Sequence, residues 1–159
     1  MLCLAFAVLA TVSNAEPVRL RPFDAGSLDS IRRANAGRPF LLAFWSLYCE
    51  PCRDEIGQWA GLGRAHPGVV VVLVATDPPQ ERARIADFLA KQDLRGVETW
   101  AFADESDERV RFAVDRGWRG ELPRTYIFDA SHRAEARSGP LDTRWIERKL
   151  ALQPRDPGR

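Results

Sequence analysis

Apolar runs and helical patterns alternate along the chain, and their order predicts the fold. Two runs are apolar at nearly every position, residues 39–45 (PFLLAFW) and 68–77 (GVVVVLVATD), which is typical of strands covered on both faces. Shorter runs at 97–103 and 125–129 predict two further strands. Amphipathic spacing predicts helices at residues 27–36, 50–65, 80–92, 106–116 and 141–150.

The beginning and the end of this pattern add an edge strand and a hairpin. Residues 16–24 alternate weakly and predict the edge strand, and Ser27 is the predicted N-cap of the first helix. A turn at 130–132 precedes a partner strand that ends before Gly139. The order predicts a three-layer α/β sandwich, with a central mixed β-sheet flanked by helices.

Length and charge narrow the classes of function. The chain has 159 residues, 45% of them hydrophobic, and its 23 basic and 22 acidic residues give a net charge of +1. That size predicts one domain with one core, assigned to residues 16–151, followed by a disordered tail at 152–159. The chain has no excess of positive charge that would indicate binding to a polyanion. We therefore expect no nucleic acid partner. Separately, we expect a monomer.

The first fifteen residues, MLCLAFAVLATVSNA, predict a secretory signal. The stretch is apolar, is too short to span a bilayer, and ends in a small-x-small pattern at Ser13 and Ala15. We expect a periplasmic or otherwise exported protein, and a membrane-anchored one if the segment is retained. A buried N-terminal strand is the alternative, because no Lys or Arg lies near Met1.

The number and spacing of the cysteines indicate a reactive pair. If the signal is removed, Cys3 leaves with it, and the mature chain keeps only Cys49 and Cys52. Scaffold disulfides in oxidising compartments close long loops, whereas this pair closes a ring of four residues. Such a ring stabilises a fold by roughly 2 kcal/mol at most. The pair is therefore better explained by reactivity than by stability.

The position of the pair in the pattern supports this interpretation. Cys49 lies where a buried strand ends and a helix begins, and free N–H groups and the helix dipole favour a thiolate there. Pro51 suits the first helical turn, and Cys52 follows within reach of the first sulfur. One cysteine can then attack a disulfide and the other can resolve it. His66 and His132 lie far apart in sequence, so we predict surface positions for them and no metal site.

The stretch FWSLYCEPCRDE, residues 44–55, resembles the thioredoxin superfamily, and more narrowly the exported TlpA/ResA-like thiol-disulfide oxidoreductases. The resemblance covers roughly residues 27–150 and includes VVVVLVATD, LPRTYIFD and the later Gly139. It implies a thioredoxin-like fold, Cys49 as the exposed nucleophile, Cys52 as the buried resolving thiol, and Pro123 as a cis-proline facing them. It also implies that Glu55 handles protons near the cysteines.

The same resemblance implies the partners. A protein disulfide substrate would lie against Leu122 beside Pro123, and we add Tyr48, Glu50 and Pro51 to the predicted substrate-binding residues. Some family members serve cytochrome c maturation, so apocytochrome c or a cytochrome oxidase assembly factor is a candidate substrate. A membrane thiol electron donor would reduce the pair again. We expect no cofactor and no bound metal.

Three positions depart from the family pattern. Tyr48 stands where Trp is common, Gly57 where a helix-kinking Pro is common, and Arg124 where a small hydroxyl residue follows the cis-proline. These departures leave open the geometry of the active-site helix and the shape of the substrate groove. For Glu55, spacing alone favours a solvated acid, whereas the resemblance favours a buried carboxyl with a raised pKa.

The sequence thus predicts a protein-disulfide reductase, with alternatives. A Cu(I) metallochaperone could use the same two sulfurs, although related chaperones have wider cysteine spacing and a further His or Met ligand. A disulfide isomerase or oxidase, and a binding module with an idle pair, also stay open. Glu50, Asp54 and Glu55 outnumber Arg53 around the pair, which disfavours the thiolate and predicts a reducing potential. The five tryptophans are expected in the core or the groove, with Trp45 supporting the active-site loop.

Overall fold

The computed structural model describes residues 18–103 and 106–150. The predicted signal and the predicted tail lie outside the described residues. Within them, six strands form one sheet in the order β1-β4-β3-β2-β5-β6. The strands are Arg21–Phe23 (β1), Phe40–Trp45 (β2), Val70–Ala75 (β3), Val97–Phe102 (β4), Arg124–Phe128 (β5) and Ala134–Ser138 (β6).

The sheet is mixed, as predicted. The first four strands pair in parallel, whereas β5 is antiparallel to both β2 and β6. The two consecutive apolar runs form the central strands β2 and β3, in which nearly every residue is buried. Full burial follows because helices cover both faces of these strands. The weak pattern at residues 16–24 gives the short edge strand β1.

All five predicted helices form; the helix at residues 50–65 has the predicted bounds, and the other four are shorter than the pattern suggested. They are Ser27–Ala34 (α1), Glu50–Ala65 (α2), Arg82–Leu89 (α3), Asp107–Val114 (α4) and Thr143–Lys149 (α5). A separate 3-10 turn, Pro79–Glu81, precedes α3, because the N–H of Glu81 bonds to the carbonyl of Pro78. Helix α4 ends before Asp115, whose backbone is extended.

The predicted N-cap of α1 is wrong. Ser27 is already helical, and Gly26 is the capping residue. The Ser27 hydroxyl instead accepts a hydrogen bond from the N–H of Asp24 and donates one to the Asp24 carboxylate, both at 2.9 Å. The serine therefore closes the turn before the helix and does not cap it.

Two hydrophobic clusters fill the spaces above and below the sheet. Helices α2, α3 and α5 bury Ile56, Ile85 and Ile146 on the face that also receives Leu41 and Leu73. Helices α1 and α4 cover the opposite face, which is lined mainly by aromatic rings. The predicted three-layer sandwich is confirmed. The carboxyl ends of β2 and β3 and the start of β5 meet at one edge of the sheet, and the two cysteines lie at that edge.

Candidate active site

The first cysteine caps the helix that follows the central strand. Strand β2 ends at Trp45, a three-residue turn follows (residues 46–48), and Cys49 is the N-cap of α2 with an extended backbone. The Cys49 N–H donates to the carbonyl of Ser46 at 3.2 Å, and the Cys49 carbonyl accepts from the N–H of Arg53 at 3.2 Å. The sulfur is thus carried at the positive end of the helix dipole, where a thiolate is favoured.

The two cysteines form a disulfide and differ in exposure. Their Cα atoms are 5.2 Å apart. Cys52 is 1% exposed within the cluster under α2, whereas Cys49 is half-buried at its edge. Pro51 lies in the first helical turn, as predicted. The half-buried sulfur is the more accessible of the two, in the order that the predicted roles require.

The turn before Cys49 is bound to a residue that sequence reasoning missed. Asp77 follows β3 and is 3% exposed. Its carboxylate accepts hydrogen bonds from the Ser46 hydroxyl at 2.7 Å and from the backbone N–H of Leu47 at 3.1 Å. The sequence VATD could have indicated this contact, because an acid that follows a buried strand needs hydrogen-bond donors from residues at the same end of the sheet.

Glu55 is buried, so the solvated alternative is wrong. The side chain is 3% exposed and lies one turn after Cys52 on α2. One carboxyl oxygen accepts a hydrogen bond from the backbone N–H of Leu141, and the other, Oε2, has no partner among the described residues. Burial raises the pKa of Glu55, and the bond from Leu141 partly opposes that effect. The carboxyl therefore binds a proton more readily than an exposed glutamate.

The loop that ends in Pro123 lies beside the turn. Arg124 pairs with Phe44 in the sheet, so Pro123 adjoins the end of β2. The Leu122–Pro123 peptide bond is cis, as the resemblance implied. The Pro123 carbonyl accepts from the N–H of Gly139 at 2.9 Å, which brings the loop after β6 to the same edge. Leu122 is half-buried and packs against the hydrophobic cluster that includes Cys52.

The other predicted binding residues lie at the surface. Tyr48 is 67% exposed, and its hydroxyl bonds to Glu81 at 3.1 Å and to Arg84 at 2.8 Å. Glu50 and Pro51 are exposed in the first turn of α2. Their part in substrate binding stays a prediction, as do the chemical roles of Cys49, Cys52 and Glu55.

The departures from the family pattern have local explanations. Helix α2 continues without interruption through Gly57, which is exposed and has open space where a Cβ would be. Arg124 is bound on three sides: it donates to Tyr126 at 3.1 Å, to Ser138 at 2.9 Å and to Asp115 at 2.8 Å. The arginine therefore ties the start of β5 to the end of α4.

The histidines are not surface residues. His66 is half-buried and approaches Glu147 at 3.3 Å, and His132 is half-buried against the ring of Phe40 and bonds to the carbonyl of Asn35 at 2.9 Å. Within residues 18–103 and 106–150, no group of three or more His, Cys, Asp or Glu residues could hold a metal ion. Four tryptophans are buried, and Trp145 is partly buried, as predicted.

Sequence comparisons relate the chain to thiol-disulfide oxidoreductases. No protein-family model matches it. Sporulation thiol-disulfide oxidoreductase A of Bacillus subtilis is 30% identical over 69 residues, which cover 42% of each chain. Thiol:disulfide interchange protein HelX of Rhodobacter capsulatus is 26% identical over 138 residues, 86% of this chain and 73% of that one. The chain thus matches less than half of the first relative and about three quarters of the second.

Solved structures support the fold. A thiol:disulfide interchange protein of the thioredoxin family from Chlorobium tepidum superposes with a TM-score of 0.61 at 17% identity, covering 76% of this chain and 82% of that one. The thioredoxin-like fold is confirmed. The resemblance to the TlpA/ResA-like oxidoreductases is confirmed as well, since both curated relatives carry that chemistry in their names.

Proposed function

We propose that this chain, a thioredoxin-superfamily protein related to the TlpA/ResA-like thiol-disulfide oxidoreductases, reduces protein disulfides through Cys49 and Cys52. The observation that carries the proposal is the Cys49–Cys52 disulfide at the start of α2, beside the Leu122–Pro123 loop. That arrangement offers one accessible sulfur, one buried sulfur three residues later, and backbone next to them for an extended substrate segment.

The exchange proceeds in two steps. The Cys49 thiolate attacks one sulfur of the substrate disulfide, whose S–S bond breaks, and the other substrate sulfur leaves as a thiolate that takes up a proton. Cys52 then loses its proton and attacks the Cys49 sulfur of the mixed disulfide, which releases the second substrate thiol. Two electrons pass to the substrate, and the chain ends as the Cys49–Cys52 disulfide.

Glu55 is the proposed acceptor of the Cys52 proton. It lies one turn after Cys52 on α2, it is buried, and no described residue bonds to its Oε2. A carboxyl whose pKa is raised by burial can hold a proton closer to neutral pH than an exposed one. The bond from Leu141 fixes the carboxyl and leaves the second oxygen free to receive the proton.

Export and the partners are further parts of the proposal. The apolar stretch at residues 1–15 supports an exported protein. Within the described residues, no helix has both the length and the apolar character needed to cross a bilayer. An apocytochrome c or an oxidase assembly factor is the proposed substrate class, and a membrane thiol protein is the proposed donor of the two electrons.

A redox titration tests the direction of the reaction. The acidic residues around the pair favour a potential nearer thioredoxin's, about −270 mV, than that of DsbA, about −120 mV. Equilibration with dithiothreitol and with glutathione measures the value directly. A potential above roughly −180 mV, which is typical of protein disulfide isomerase, would reverse the assignment to an oxidase or isomerase.

Covalent trapping identifies the substrate. The Cys52→Ala variant should form the mixed disulfide on Cys49 and fail to resolve it, so that bound proteins can be isolated and named. A double variant, Cys49→Ala with Cys52→Ala, is the matched control and should trap nothing. A reduced chain that binds Cu(I) tightly but leaves a model protein disulfide intact would favour the metallochaperone.

A further inference from the structure

We propose that Asp77 is a positioning residue that fixes the turn before Cys49 and thereby sets the redox equilibrium of the cysteine pair. The inference rests on the proposed function and goes beyond it, since Asp77 touches neither sulfur in the contacts described above. Asp77 lies at the carboxyl end of β3, on the strand next to the one that leads to Cys49. It reaches the active site from a neighbouring element.

Hydrogen bonds to Asp77 hold most of the turn before Cys49 in place. One carboxylate oxygen accepts from the Ser46 hydroxyl at 2.7 Å, and both oxygens lie 3.1 Å from the backbone nitrogen of Leu47. The Ser46 hydroxyl oxygen in turn accepts from the backbone N–H of Tyr48 at 3.1 Å. A carboxylate 3% exposed therefore fixes two backbone N–H groups of the three residues that precede Cys49, one directly and one through Ser46.

The remaining groups of the turn are bound from the same side and from α2. The Leu47 carbonyl accepts from the Arg53 guanidinium at 2.9 Å, and the Trp45 carbonyl accepts from the N–H of Thr76 at 2.9 Å. The Tyr48 hydroxyl bonds to Glu81 and Arg84, which follow Asp77 in the chain. The connection between β3 and α3 thus contacts residues on both sides of the Ser46–Leu47 bond.

Rigidity of this turn affects the pair because a disulfide forms between two sulfurs in proportion to their effective concentration. Cys52 is fixed inside α2 and the core. Cys49 is the helix N-cap, so its position depends on the turn before it. A loosened turn lets Cys49 move away from Cys52, which lowers their effective concentration and favours the dithiol. Removing the Asp77 charge also favours the reduced state, because less negative charge then opposes the thiolate.

The alternative is that Asp77 is only structural. A buried acid at a strand end can stabilise the fold through three hydrogen bonds and have no effect on the chemistry. In that case its loss destabilises the oxidised and the reduced chain by the same amount. The equilibrium between the two forms then stays constant, and this equilibrium separates the two interpretations.

The test is a redox titration of variants against dithiothreitol. We expect Asp77→Ala to shift the equilibrium about tenfold towards the dithiol, which corresponds to a rise of about 30 mV in potential. Asp77→Asn keeps one acceptor oxygen and should therefore show a smaller shift than Asp77→Ala. Ser46→Ala removes only the bridging hydroxyl and should shift the equilibrium about threefold. Asp93→Ala, which removes an exposed acid paired with Arg95, is the control and should stay within twofold of the wild type.

Every outcome of this titration decides the question. A shift of twofold or more towards the dithiol in folded Asp77→Ala supports the proposal, and a smaller shift, or one towards the disulfide, overturns it. If Asp77→Ala does not fold, Ser46→Ala decides by the same threshold. The equilibrium is measured on the Cys49–Cys52 pair itself. Its result is therefore independent of whether the chain reduces protein substrates, and a failure of one proposal can be distinguished from a failure of the other.

Discussion

The two faces of the sheet differ in chemistry although both are fully buried. The face under α2, α3 and α5, here called the cysteine face, is mainly aliphatic and contains Cys52 and Glu55. The opposite face, here called the aromatic face, is lined by eight rings: Phe23, Phe40, Phe44, Trp100, Phe102, Trp118, Tyr126 and Phe128. Many of these rings meet edge to face or stacked, with centroids 4.3 to 6.5 Å apart.

Polar atoms are treated differently on the two faces. On the aromatic face the indole N–H of Trp118 donates to the carbonyl of Glu121 at 3.0 Å, and the Tyr126 hydroxyl donates to Asp115 at 3.1 Å. Among the described residues, the indole nitrogen of Trp45, Oε2 of Glu55 and the hydroxyl of Thr125 are buried on the cysteine face without a partner, and so is Nε of Arg32 on the aromatic face, where its guanidinium lies over the ring of Phe128. Buried polar atoms are normally paired, and exceptions are a reason to look for function. The cysteine face holds three of these four exceptions and also the disulfide, so we expect that face to carry the chemistry and the aromatic face to act as a scaffold.

The largest expected effect is the loss of activity in Cys49→Ser. Cys49 lies at the edge of the cysteine face and is half-buried at a helix start. Its replacement should abolish disulfide reduction while leaving the fold intact, because no core side chain is removed. Turnover with an insulin-type protein disulfide and a circular dichroism spectrum measure both quantities. Reduction that persists in this variant would show that Cys49 is not the nucleophile.

Phe44→Ala tests whether the aromatic face determines stability and not redox chemistry. Phe44 is 0% exposed and contacts the rings of Phe23, Trp118 and Tyr126. Its truncation should lower the free energy of unfolding by about 3–5 kcal/mol, as is usual for a fully buried Phe. We expect the redox potential of the folded variant to stay close to the wild-type value.

Denaturant unfolding of the oxidised chain measures this effect. Phe112→Ala is the matched control, since Phe112 is 57% exposed and its loss should change the unfolding free energy by no more than about 0.5 kcal/mol. If Phe44→Ala instead shifts the potential strongly without destabilising the fold, the two faces do not divide stability and chemistry as we infer.

The fold was predictable because the apolar runs are long and distinct. Strands β2 and β3 and helix α2 lie where the pattern placed them, and the cysteine pair follows from the strand that ends beside it. Residues whose neighbours are distant in sequence were harder to interpret. Ser46 and Asp77 meet because β2 and β3 pair in parallel, with Trp45 opposite Ala75. Because β2 and β3 are apolar on both faces, their sequences have no alternation from which that register could be predicted.

The interpretation of the histidines failed for the same reason. The two histidines were assigned to the surface because no partner is near them in sequence, whereas Glu147 and Asn35 reach them through the tertiary fold. For Glu55, spacing alone favours a solvated acid, and only the family resemblance favours the burial that the structure shows. Its burial depends on α5 and the loop before it, which cover that side of α2.

Glu55→Gln is the next prediction and concerns rate. Glutamine keeps the shape and the acceptor for the Leu141 N–H but cannot take a proton. We expect resolution of the mixed disulfide to slow by about 100-fold, at the low end of the range for general acid–base catalysis, and its pH dependence to change. Asp54→Asn removes an exposed acid one residue earlier and serves as control. A pH–rate profile that is the same in both variants would exclude a proton-handling role.

The smallest expected effect is on the pH dependence of stability, also at Glu55. Burial raises its pKa in the folded chain above the ordinary value of 4.5, so between these two pKa values the folded chain holds a proton that the unfolded chain has lost. Stability therefore decreases as pH rises through this window and levels off above the folded pKa. Glutamine cannot ionise, so the Glu55→Gln variant lacks this loss. We expect its unfolding free energy, relative to the wild type, to increase from pH 4 towards pH 8.

Urea unfolding of the oxidised chains at several pH values measures this difference. Asp93 and Asp129, whose pKa values are lowered to about 2 by neighbouring hydrogen bonds, make stability increase with pH and so oppose the effect of Glu55. They titrate in both the variant and the wild type, so their contributions cancel in the comparison. Asp54→Asn again controls for the loss of one negative charge from α2. A relative stability that is flat with pH, or that follows the Asp54→Asn curve, would contradict a raised pKa at Glu55. Glu55 would then be no stronger a base than an exposed glutamate, and it would be poorly matched to hold the Cys52 proton near neutral pH.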